Sequence, residues 1–347
     1  MTTQKRRARD LGLAFPGSPG PFNAITDVPG VRVGLTTLIE GDGDSAIRTG
    51  VTAIVPKEHG GSAVWAGAHS FNGNGEMTGL HWVGEAGWFR GPVLLTNTHA
   101  VGVAHRAAVG WTRERSASPG DHGWVLPVVA ETCDNWLNDM DTQAITDEHV
   151  RAALDTAASG PVPEGSQGGG TGMIAYELKA GTGTASRQLS IGGATHHLGV
   201  LVQANFGRRR NLSILGKPVG TMSRAPTVFS RDQGSLIGVL ATDAPLHPLQ
   251  LQRVARRMVL GMARTGSFGG DGSGDIFLAF TTAGDPLAQS DAGLGSLTFV
   301  SGDIDTVFEA AVDATEEAIV NALVAGETMT GRLGRTVHAL DHALLAT

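Results

Sequence analysis

The chain has 347 residues, 41% of them apolar, enough for one large core or two ordinary ones; its formal net charge of -7 speaks against a nucleic-acid partner. Its single cysteine, Cys133, excludes an intrachain disulfide and a thiolate zinc cage. No apolar run reaches the ~18 residues of a membrane span, and the basic start MTTQKRRARDLGLAF lacks the apolar centre of a secretory signal, so the chain reads as cytoplasmic.

In chain order, strands are predicted at 31–35, 50–55 and 93–96, a helix at 98–114, a strand at 125–129 and a helix at 146–158. Strands follow at 173–177, 197–203 and 236–242, then a helix at 248–264, strands at 276–281 and 296–300, and a helix at 303–325. Most of the strands are short and rich in Val, Ile and Leu, as buried strands are. Helix 248–264 places Leu251, Val254, Ala255, Met258 and Met262 on one stripe, with Arg253, Arg256 and Arg257 largely off it and Gly266 as its stop. Helix 303–325 repeats the scheme with Val307, Phe308, Ala311, Ala318, Ile319 and Ala322. Such mixing gives an α/β or α+β class. No repeat is present, and the loop 159–165 is too short to separate a pair of domains, so residues 1–347 read as a single domain. The basic runs Lys5-Arg6-Arg7 and Arg208-Arg209-Arg210 read as solvated surface.

The fifty glycines are about twice the usual share. They gather beside strands, in FNGNGEMTG, GSQGGGTG, KAGTGTASR and FGGDGSGD, which suggests either loops converging on one site or a tight multi-layer packing. The common hydrolase signatures are missing: no G-x-S-x-G, H-E-x-x-H or P-loop occurs, and the twelve histidines have no metal spacing. No metal or other cofactor is expected. What remains is serine chemistry. Gly234-Ser235 stands directly before a core strand. It reads either as a plain turn or as a bond the protein cuts in itself, leaving Ser235 as a new N-terminus whose α-amine serves as its own base. Ser273 and Asp275, two apart, face one side of an extended segment. They read either as a tight turn with a capping acid or as a relay that orients the Ser235 hydroxyl.

The blocks ITDVPGVRVG, RTGVTAIVP, FNGNGEMTGLHW, LTNTHAVG, PVVAET, GGGTGMIAYELKAGTGTASR, GVLVQANFG, GSLIGVLATDAPL and ARTGSFGGDGSGDIFLAF run in order over nearly the whole chain. In them the sequence resembles the DmpA-type family of self-cleaving N-terminal serine hydrolases, which are aminopeptidases, amidases and esterases. The resemblance implies an αββα sandwich, layered like the Ntn hydrolases but differently connected. It implies cleavage between Gly234 and Ser235 into an α segment, 1–234, and a β segment, 235–347. Ser235 would be the nucleophile, Ser273 and Asp275 its support, Asn205 the oxyanion donor, and Glu131 the carboxylate that receives the substrate's free amine. The implied substrates are small peptides and amino-acid amides or esters, with neither nucleic acid nor membrane as partner, and the implied assembly is a homo-oligomer, a tetramer of αβ units. Where the family carries a tyrosine after AET, this chain has Cys133; a thiol is a weaker donor than a phenol. The tyrosine's role therefore does not carry over, and altered acyl specificity is expected beside Cys133. An acyltransferase of the ornithine acetyltransferase type and a non-catalytic small-molecule binder are the alternatives on this fold.

Overall fold

The structure is a computed structural model that describes residues 5–57, 61–115, 124–229, 234–287, 297, 300 and 302–346. Its elements are β1 (Arg32–Glu40), β2 (Ile47–Val55), β3 (Ala63–Ser70), α1 (Leu80–Ala86), β4 (Trp88–Arg90), β5 (Val93–Asn97), α2 (Val101–Glu114), β6 (Val128–Thr132) and α3 (Asp147–Asp155). There follow the short β7 (Ile174–Ala175) and β8 (Leu178–Lys179), the long β9 (Thr182–Ile191) and β10 (Ala194–Asn205), α4 (Val219–Met222), β11 (Ser235–Thr242), α5 (Pro248–Arg264), β12 (Ile276–Thr281) and α6 (Ile304–Val324).

Two sheets stack. One has the order β1-β2-β5-β6, the other β4-β3-β12-β11-β10-β9. Strand alternation assigns each face. In β11, Ile237, Val239 and Ala241 point between the sheets, where they meet Ile54, Val93, Leu95, Val128 and Ala130 of the facing sheet. Leu236 and Leu240 point the other way, into the layer of α5 and α6, with Leu251, Val254, Met258, Ile319 and Leu323. On the far side of the first sheet, α2 and α3 supply Ala104, Ala108, Trp111, Val150 and Leu154. The result is the helix–sheet–sheet–helix sandwich expected.

The local predictions fare unevenly. Residues 248–264 and 276–281 form their elements as read, and α5 buries its apolar stripe while Gly266 follows its cap at positive φ. The segment read as a strand at 173–177 is instead a two-strand hairpin, β7–β8, with Tyr176 and Glu177 both at positive φ in its turn. The strand read at 125–129 lies three residues later, because β6 takes its register from parallel pairing with β5, Val93 opposite Val128. The strand read at 296–300 falls largely outside the described residues. Both basic runs are corrected in part: Arg6 and Arg210 are exposed as read, but their neighbours Arg7 and Arg209 are engaged. Arg209 is buried and donates to the carbonyls of Tyr176, Glu177 and Ala225, and Arg7 forks onto Glu164 at 2.7 and 3.1 Å. Guanidinium groups satisfy several carbonyls at once, which makes such burial tolerable.

Strand β9 lies against α6 at a glycine. A Cβ at Gly183 would overlap the carbonyl oxygen of Ala318 and lie 2.8 Å from the Ala322 methyl group. Gly183→Ala is expected to cost roughly 1–3 kcal/mol by overpacking, read as a lower midpoint in thermal unfolding.

Candidate active site

The start of β11 is the point where three strands meet. β11 pairs antiparallel with β10, Asn205 opposite Ser235, and parallel with β12, Ile237 opposite Ile276. An isolated bridge extends the second ladder back to Gly234 and Ser273. Residues opposite one another in an antiparallel pair share a face, so Asn205 and Ser235 both turn toward the space between the sheets. The backbone at Gly234 has φ 112°, and a Cβ there would overlap the Asn205 carbonyl oxygen. Only glycine fits ahead of this serine.

Ser235 is buried, and its Oγ accepts a hydrogen bond from the Gly274 amide at 3.2 Å. Beside it, Ser273 Oγ donates to Asp275 Oδ1 at 2.8 Å, and the same oxygen accepts from the Leu236 amide at 2.9 Å. Ser273 and Asp275 are thus paired with one another, and Asp275 also holds the backbone amide of Leu236, the residue after Ser235. Asp275 has a further partner to which the sequence pattern assigned no role: Asn72 Nδ2 donates to its Oδ2 at 3.0 Å. Asn72 lies in the turn FNGNG, which interlocks with GGDGSGD. Phe71 N donates to Asp275 O at 2.9 Å, Asn74 Nδ2 donates to Gly272 O at 2.8 Å, and a Cβ on Gly274 would overlap Asn74 O. The Asn72 amide is likewise within 3.4 Å of Asp275 O, so the whole turn is tied to the backbone of the acid. The signal available in the sequence was an asparagine flanked by glycines that allow two backbones to touch.

Asn205 is held at both ends of its carboxamide. The Ile174 amide donates to its Oδ1 at 2.9 Å, and its Nδ2 donates to Cys133 O at 3.0 Å. A carboxamide nitrogen has two hydrogens, and among the described residues Cys133 O is the one acceptor this nitrogen meets. Cys133 therefore acts on Asn205 through its backbone. Its half-buried side chain lies 3.8 Å from Met140 Sδ, and burial pushes the thiol pKa up, away from thiolate chemistry.

Glu131, at the end of β6, is buried. The Glu76 amide donates to its Oε1 at 3.1 Å, and Thr98 Oγ1 donates to its Oε2. Glu76 and Thr98 are further residues to which the sequence pattern assigned no role. Burial raises the carboxyl of Glu131 above its ordinary range, against the pull of these two hydrogen bonds. Among the described residues no lysine or arginine pairs with it. The structure connects this carboxylate to Ser235 through Cys133, two residues on, whose carbonyl meets Asn205 opposite Ser235. Among the described residues no cluster of His, Cys, Asp and Glu could hold a metal ion.

Two stacked sheets flanked on either side by helices form a variant of the Ntn hydrolase fold. The chain belongs to peptidase family S58, which matches residues 23–337. It is 46% identical to the beta-peptidyl aminopeptidase BapA of Sphingosinicella microcystinivorans over 98% of this chain and 90% of that one. Among solved structures it superposes on the L-aminopeptidase D-Ala-esterase/amidase of Ochrobactrum anthropi with a TM-score of 0.93 and 51% identity, covering 98% of this chain and 97% of the other. A Burkholderia sp. beta-aminopeptidase gives a TM-score of 0.90 and 48% identity, with the same coverage. The protein is an N-terminal serine hydrolase, an aminopeptidase that processes itself.

Asn72→Ala would strip one hydrogen bond from the Asp275 carboxylate. A bond to a charged group is worth ~1.5–3 kcal/mol, so turnover is expected to fall roughly 10- to 100-fold in a protein whose circular dichroism is unchanged.

Proposed function

We propose that the chain is cut between Gly234 and Ser235 and that Ser235 then releases N-terminal amino acids, α or β, from small peptides, amides and esters. The observation that carries this reading is the convergence at the head of β11. A glycine that only glycine can replace precedes a buried serine, with Asn205 opposite and the Ser273–Asp275 pair alongside. In the precursor, Ser235 Oγ attacks the Gly234 carbonyl carbon. The peptide C–N bond breaks as the C–O bond forms, and the nitrogen takes the hydroxyl proton and becomes the free α-amine of Ser235; water then hydrolyses the ester, which frees the Ser235 hydroxyl and the Gly234 carboxylate. That amine, with a pKa near 8 in model peptides, then accepts the hydroxyl proton when Ser235 attacks a substrate. Ser273 and Asp275 keep the serine oriented, and the spare N–H of Asn205 meets the oxyanion.

Glu131 supplies the end-recognition. A buried carboxylate without a cation partner is costly, and a substrate ammonium relieves that cost where an acylated or internal residue cannot. The relatives' activity on β-peptides supports acceptance of β-residues as well as α. Cys133, smaller than the family tyrosine, leaves room beside the acyl group. We assign the working form to a homo-oligomer of αβ units, a tetramer by resemblance; sedimentation velocity would measure it.

Intact-mass analysis of the wild type is expected to show two fragments, the second beginning at Ser235. Ser235→Ala is expected to remain one chain and to release nothing from a panel of amino-acid p-nitroanilides; cleavage elsewhere, or turnover by the uncut variant, would overturn the assignment. Asn205→Ala is expected to lower kcat by ~10²–10³-fold, the usual effect of removing an oxyanion donor.

The raised carboxyl of Glu131 fixes the sign of a pH effect. Since only the carboxylate binds the ammonium, kcat/KM is expected to fall on acidification from a pH above the ~4.3 of an ordinary glutamate. In Glu131→Gln the fall at that pH disappears and KM is high throughout, measured in steady-state profiles.

A further inference from the structure

Lys179 is completely buried, yet it is not packed as a spacer. Its Nζ donates to Met173 O at 2.8 Å and to Ala180 O at 2.7 Å. The Met173 carbonyl belongs to the same peptide group as the Ile174 amide, and that amide donates to Asn205 Oδ1 at 2.9 Å. One continuous path therefore runs from the ammonium, through the 173–174 peptide, to the carboxamide of Asn205. On the far side of that carboxamide, Nδ2 faces Cys133 O.

Hydrogen bonds in such a chain polarise one another. A positive charge on the Met173 carbonyl draws electrons from the peptide and makes the Ile174 N–H a stronger donor. A stronger donor on Oδ1 in turn makes the Asn205 N–H groups more acidic. We propose that Lys179 is a positioning residue for the reaction, which holds the 173–174 peptide and, through it, strengthens Asn205 as the donor to the oxyanion. The inference rests on the oxyanion role assigned to Asn205 above.

The side chain is only partly charged at neutral pH, and the polarisation is that of its protonated form. Burial, aided by the charge of Lys5, pushes the ammonium down to about 7, while Asp134 and Glu327 act in the opposite direction. A methionine would fill the same space without that desolvation. A neutral side chain would leave two buried carbonyls with fewer donors but would not, by packing alone, change the ratio of kcat to KM.

The test is a double-mutant cycle on the full, self-processed protein with an amino-acid p-nitroanilide, turnover being normalised to the amount of fragment that begins at Ser235. Lys179→Met is expected to lower kcat about tenfold, the factor that a modest loss of transition-state hydrogen bonding gives, with KM little changed. Lys179→Arg, which keeps the charge, is expected to recover some of that loss. In an Asn205→Ala background the Lys179→Met effect should vanish, because the path then ends on a methyl group. An unchanged kcat in Lys179→Met overturns the relay, and so does an equal loss with and without Asn205. If Asn205→Ala itself leaves kcat intact, the oxyanion assignment falls and takes the relay with it. Should Lys179→Met fail to fold, Lys179→Gln is put through the same cycle and read by the same outcomes.

Discussion

The site depends on the register of three strands. Asn205 faces Ser235 because β10 and β11 pair antiparallel, and Ser273 lies beside Gly234 because β11 and β12 run parallel. A shift of one residue in either ladder would turn the affected side chains to the opposite face of the sheet. The alternation of Ile237, Val239 and Ala241 with Leu236 and Leu240 resists such a shift, since each set has its own core to enter. The packing of two hydrophobic layers thus fixes a hydroxyl and a carboxamide across from one another.

The glycine-rich segments serve that geometry by allowing contact between backbones. FNGNG and GGDGSGD touch at Gly274 and Asn74, and from that contact Asn72 reaches the carboxylate of Asp275. Gly183 lets β9 lie directly on α6. In each case a missing side chain sets a distance, which is why the glycine clusters sit beside strands.

Much of this was legible in the sequence. The apolar stripe of α5 and the run Ile276–Thr281 follow from periodicity, and the nine ordered blocks carried the αββα layering. Ser235, Ser273, Asp275 and Asn205, the residues the resemblance singles out, lie close together in space. What escaped was set by tertiary contacts. Strand β9 reads TGTASRQLSI, and its small polar residues conceal a strand that is buried along most of its length. The hairpin of β7 and β8 depends on Tyr176 and Glu177 adopting positive φ, which their side chains do not announce. Arg209 reads as a surface charge and the burial of Arg187 and Lys179 goes unannounced, because nothing in a linear pattern shows that carbonyls or carboxylates will surround them. Asn72 and Thr98 stand in quoted motifs, but their roles depend on which carboxylate each one meets in space.

The order β3-β12-β11-β10 has a consequence for what a cut ahead of Ser235 leaves behind. The two strands on the C-terminal side of that bond lie side by side, enclosed by two strands from the N-terminal side, so the pieces are interleaved within one sheet. They cannot drift apart while the sheet persists. Once melted, however, they are two molecules, and their reunion becomes a second-order event that dilution opposes. The uncut polypeptide refolds as a unimolecular process, whereas a severed one would owe its persistence to the height of the barrier against opening.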